Sequence, residues 1–159
     1  MKNIFYHTIS LLLMFVLFQE NSYAQVKDLI SKSLHIGMTV PLDFTVSVDT
    51  KEKFAVAGTG LSVVIQPYTS SSGTEQNNLT SELMQHAESL GYKNLSNAET
   101  IELNGFQGCY ATGKDEGKGK ILTILLMNIR TKQHLFILIP YHPASEKTAL
   151  HIANSFYTE

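Results

Sequence analysis

The pattern of apolar and polar positions changes period several times along the chain, and its most apolar stretch comes late. Residues 103–140 read as three strands joined by two tight, polar turns. Within 121–127 and 135–139, apolar residues occupy both odd and even positions, so both faces of those strands are expected to be covered. Strands of that kind belong in the middle of a sheet, and the remaining segments must supply the covering layers.

Earlier segments show the period of two that marks half-buried strands. Ile36, Met38 and Val40 alternate with His35, Gly37 and Thr39 up to Pro41, and Phe44, Val46 and Val48 alternate with Thr45 and Ser47. A polar turn at 49–53 leads into 54–57. Residues 61–68 form the next strand, with Pro67 near its end, where a missing N–H matters least. Val26, Leu29 and Ile30 fall at helical spacing, so 25–33 reads as a short helix or a tether.

The period then shifts to that of a helix. Leu79, Leu83, Ala87 and Leu90 form one stripe, with Asn78 as the cap and Gly91 as the left-handed stop, followed by Tyr92. Residues 98–103 return to a strand, and Asn104-Gly105 is the strongest short hairpin signal present. A strand over 106–113 and a loop over 114–119 lead to the central strands, which turn at 130–133. Pro143 suits a helix's first turn, and Ala149, Ile152, Ala153 and Phe156 give the stripe of a closing helix.

Composition narrows this picture. Hydrophobic residues make up 43% and charged ones 16%, which supports a packed core and argues against global disorder. The net charge of −2 comes without a basic stripe, so nucleic acid is not an expected partner. A single cysteine, Cys109, cannot staple its own domain. No internal repeat or second core interrupts residues 34–159, which read as one domain.

Residues 1–24 have a different character. Lys2 precedes an apolar run at 9–18, a polar stretch follows, and Ser22-Tyr23-Ala24 sets small residues at −3 and −1 of a cleavage site. The run is short of the roughly 20 residues a membrane span needs. This is the pattern of a cleaved secretory leader. Gln25, not Cys, follows the cut, so the expected product is not a lipoprotein but a soluble periplasmic or secreted chain with no span left.

Several short motifs then fall into one order: Met38-Thr39-Val40-Pro41-Leu42-Asp43-Phe44, Leu103-Asn104-Gly105-Phe106-Gln107-Gly108, Gln133-His134-Leu135-Phe136-Ile137 and Ile152-Ala153-Asn154-Ser155-Phe156. Together they resemble the PsbP-like superfamily, over nearly the whole of the chain after the leader. That group includes a photosystem subunit, a Ran-binding import factor and bacterial envelope proteins. The resemblance implies an α+β fold, an α/β/α sandwich around a central, mainly antiparallel sheet, used as a non-catalytic binding or assembly module. No photosystem-binding or Ran-binding residue matches here, so those functions are not carried over.

Candidate chemistry is sparse. Glu82 and His86, four apart on a helix, make half a metal site, but a solvated helix face explains them better because no third ligand is near in sequence. His134, His142 and His151 lack ligand spacing. Cys109 sits in a strand without an adjacent base, as a buried, inert thiol would. The glycines and lysines of 113–120 lack the ending of a phosphate loop and precede a strand. No catalytic, metal-binding or cofactor-binding residue is assigned, and no cofactor is expected.

The one candidate for recognition is the polar loop 69–78, read as a mobile surface loop or as the binding edge. Its residues are Tyr68 at the root, then Ser70, Ser71, Ser72, Gly73 and Glu75. The sequence thus points to a secreted binding module whose partner is a protein or envelope component. The alternatives are a protein that sequesters a toxin or client, and an envelope hydrolase with a site assembled from scattered residues.

Overall fold

The computed structural model describes residues 25–70, 76–114 and 119–159. The leader, loop residues Ser71, Ser72, Gly73 and Glu75, and most of the 114–119 loop lie outside these.

The two meanders of the main sheet follow from the strand periods. The strands β3 (Thr45–Asp49), β4 (Phe54–Gly58) and β5 (Leu61–Tyr68) form one. The strands β6 (Glu99–Leu103), β7 (Phe106–Lys114), β8 (Lys120–Asn128) and β9 (His134–Tyr141) form the other. They join where β5 pairs antiparallel with β9, giving a seven-stranded sheet in the order β3-β4-β5-β9-β8-β7-β6. The two continuous apolar segments therefore occupy the centre, as expected. Every residue of β8 except Lys120 is buried.

Alternation sends the side chains of β8 into two different cores. Leu122, Ile124 and Leu126 face the larger one, with Ile137 and Ile139 of β9 and Val63 and Ile65 of β5. Leu125 and Met127 face the smaller one, with Cys109 and Phe136, beneath Leu79 and Leu83 of helix α1 (Gln76–Ser89). The larger core is closed by helix α2 (Glu146–Ala153) and by a three-stranded sheet. That sheet consists of β1 (Val26–Ser31), β2 (Ile36–Pro41) and β10 (Tyr157–Thr158), in the order β1-β2-β10. The α+β sandwich stands, with one outer layer shared between a helix and a small sheet.

Turn chemistry matches the sequence at two glycines. Gly91, at φ +89°, ends α1 in a Schellman motif, in which Tyr92 N–H donates to Ala87 O at 3.2 Å and Gly91 N–H to Glu88 O at 2.9 Å. In the β6–β7 turn only Gly105 takes a positive φ, +86°, so the geometry is not that of a type I′ turn. The β8–β9 turn is held by Asn128, whose Oδ1 accepts from Arg130 N–H at 2.9 Å and Thr131 N–H at 3.0 Å.

Four expectations are corrected. The short helix or tether expected at the start of the chain is strand β1, paired antiparallel with β2 from Val26↔Pro41 to Ser31↔Ile36. Helical spacing misleads here: in the strand Leu29 faces the core while Val26 and Ile30 point the other way and stay exposed, and pairing with β2 decides. Val46 is 47% exposed because β3 is an edge strand whose register slips between Val46 and Val48. Helix α1 begins at Gln76, so Asn78 lies inside its first turn and not at its cap. Leu90 lies past the last helical residue and is 49% exposed.

Candidate functional site

Register places the root of the candidate loop beside the start of β9. Tyr68 stands opposite His134 and Gln66 opposite Phe136, so Tyr68, His134 and Phe136 share the α1 face of the sheet. Across from them, α1 offers Thr80, Glu82, Leu83 and His86. Glu82 and His86 stand three residues after Leu79 and Leu83, so they continue the buried stripe.

Three rings meet there. The His86 ring packs edge-on against Phe136, with centroids 4.4 Å apart and planes at 86°. Tyr68 leans on His86 at 5.1 Å and 61°, and lies 6.4 Å from Phe136. Such edge-to-face contacts add to the burial term because a ring's positive edge meets another's negative face. Tyr68 and His86 stay half-exposed, so the cluster opens to the surface.

Polar groups lie beneath it. Glu82 is only 4% exposed, and its Oε1 accepts from the Ser70 hydroxyl at 2.9 Å, which ties α1 to the loop root. The expectation of a solvated helix face for Glu82 and His86 is therefore corrected. His134 is 8% exposed and its Nε2 is buried without a hydrogen-bond partner among the described residues. Burial lowers its pKa, against the opposing pull of the Glu82 charge and a hydrogen bond to the Lys132 backbone. Burial likewise lowers that of His86 and raises that of Tyr68, the latter helped by Glu82.

Cys109, also under α1, is buried and free. Burial raises its pKa to about 11, although a hydrogen bond with Thr80 works against the shift. It is a neutral thiol at ordinary pH, as its place in the sequence suggested. His134 and His142 lie far apart. They bound opposite ends of β9, roughly 25 Å apart at about 3.3 Å per residue, and His142 Nδ1 accepts from Ala144 N–H at 3.3 Å. Among the described residues no three His, Cys, Asp or Glu side chains come together as a metal-holding group.

Of the candidate loop residues, Tyr68 and Ser70 are part of this surface, and Ser71, Ser72, Gly73 and Glu75 lie outside the described residues. Sequence reasoning weighed Glu82, His86 and His134 but read the first two as solvated and gave the third no role. The available signal was helical phase: both α1 residues fall on the apolar stripe, where a charge is unexpected.

Among the described residues, two sheets and two α-helices make an α+β protein, and its likeness to solved structures is to the PsbP-like fold. No family model and no curated protein matches the chain, but solved structures do. The Saccharomyces cerevisiae Ran-binding protein Mog1p aligns with a TM-score of 0.56 at 10% identity, over 85% of this chain and 96% of its own. The cyanobacterial PsbP (CyanoP) of Synechocystis sp. aligns at 0.50 and 13%, over 88% and 96%. A crystal structure from Bacteroides thetaiotaomicron aligns at 0.53 and 13%, over 85% of this chain, which spans only 49% of that longer one. At such identities the likeness is one of fold.

Proposed function

We propose that the protein is a non-catalytic binding or assembly module of the bacterial cell envelope, which takes hold of a protein or envelope component at the exposed rim between α1 and Tyr68. The observation that carries this reading is the Tyr68–His86–Phe136 cluster, half-open to the surface, with the Ser70–Glu82 hydrogen bond at the root of a polar loop. An aromatic patch with a carboxylate behind it suits a protein surface, because rings supply contact area at low entropic cost and the polar groups fix orientation. The yeast protein of the same fold is named for binding Ran, a precedent for the fold as a protein-binding surface.

The address comes from the leader. Cleavage after Ala24 releases a chain starting at Gln25, just before β1. Among the described residues no helix is long and apolar enough to cross a membrane. N-terminal mass spectrometry of the exported protein is expected to read Gln25 first; Met1 retained in the membrane pellet overturns that address.

The binding reading is tested by replacing residues 70–75 with a short Gly-Ser turn and crosslinking the variant in its native envelope. The fold is expected to survive and the partner adduct to weaken. An undiminished adduct with the same partner places recognition elsewhere.

A further inference from the structure

The two edges of the main sheet are built differently. At the β3 edge the register slips, and a bulge of this kind turns an edge away from further pairing. The β6 edge is regular, in unbroken register with β7 from Glu99↔Tyr110 to Leu103↔Phe106. Among the described residues its outer side is engaged past its end, where Thr158 N–H donates to Asn104 O at 3.0 Å. Among the described strands, none pairs with the outer side of Glu99–Leu103.

Behind that free edge lies a cleft of about 270 Å³ between the sheet and α2. Its floor is Ile101, Tyr110 and Leu122, and its wall is Leu150 and Ala153. Leu150 is 38% exposed, a large apolar side chain presented to the opening. None of the lining residues is basic. Alternation sets Glu99 on the cleft face with Ile101 and Glu102 on the opposite face, so the edge is negative on both sides.

We infer that the β6 edge accepts an extended peptide as an added antiparallel strand, with the pattern basic–apolar–any–basic. Its first basic residue lies opposite Glu102 and its apolar residue opposite Ile101, entering the cleft beside Leu150. The second basic residue lies opposite Glu99. Main-chain pairing supplies affinity, and the cleft and carboxylates supply selectivity. This surface is separate from the Tyr68 cluster, which lies on the other face of the sheet, and does not depend on it.

The test uses the protein as exported and a short capped peptide with Lys-Leu-Thr-Lys at its centre, against the same residues scrambled. Titration followed by amide NMR is expected to give saturable binding of the ordered peptide, with shifts concentrated at 97–103. Glu99→Lys with Glu102→Lys is expected to weaken it about tenfold or more. Both side chains are exposed, and charge reversal removes only the exposed bond from the Tyr110 hydroxyl to Glu99, so these variants are expected to melt close to wild type, and the milder Glu99→Gln with Glu102→Gln gives a smaller loss. Leu150→Asp is expected to weaken binding as well, whereas the 70–75 replacement leaves it unchanged. Equal binding of the scrambled peptide, shifts away from β6, or no response to charge reversal overturns the inference. So does no binding at all, which leaves Glu99 and Glu102 as charges that keep the edge solitary.

Discussion

The two faces of strand β8 carry different kinds of core. On one face Leu122, Ile124 and Leu126 meet a wide apolar layer in which β1, β2 and α2 all take part. On the other, Leu125 and Met127 meet a small cluster under α1, and buried Thr123, Glu82 and His134 belong to that side. The first face is what a hydrophobic core requires. The second takes on desolvation costs that an apolar replacement would avoid. Places where a sequence departs from its own pattern are where function is most often found, and here they sit on the same face as the Tyr68–His86–Phe136 ring cluster.

The most damaging way to challenge the comparison is a buried charge on either face. Ile124→Asp and Leu125→Asp should each cost several kcal/mol, comparable with the stability of a small domain. Thermal melts are expected to show loss of the cooperative transition for both. A cooperative melt near wild type for Ile124→Asp would show that the larger face does not hold the fold.

A smaller effect separates the faces by pH. Burial lowers the folded pKa of His134 below its ordinary value of 6.5, so the unfolded chain takes up the proton first as pH falls. Stability is therefore steady above about that value and declines below it, until the folded pKa is passed. His86 contributes with the same sign. Denaturant midpoints are expected to drop between neutral and mildly acid pH, and His134→Gln is expected to flatten that drop. An unchanged slope would remove His134 from the account.

The smallest effect is that of Ser70→Ala, which removes the hydroxyl donor to Glu82. A loss of about 1–2 kcal/mol is expected from a hydrogen bond to a carboxylate, read as a modest fall in the denaturant midpoint.

The larger face was legible in the sequence and the smaller one only in part. Continuous apolar runs located β8 and β9, and Pro67, Gly91 and Asn104-Gly105 marked ends and turns, because these signals are local. Strand β1 was not legible, since Val26, Leu29 and Ile30 have helical spacing and only pairing with β2 decides. Glu82 and His86 were read as solvated because a charged pair at helical spacing ordinarily is. Their burial depends on β5 and β9 arriving from distant parts of the chain, as does the meeting of Tyr68 with Phe136.

The central claim is that the face under α1 serves recognition more than stability, and Tyr68→Ala tests it most directly. Tyr68 is half-exposed at the rim of the smaller core, so truncation is expected to cost only about 1–2 kcal/mol from lost apolar burial. With melting temperature and partner crosslinking measured on one preparation, the account predicts a transition lowered by a few degrees and a partner adduct largely lost. A collapsed fold, or an intact adduct on a stable one, would contradict it.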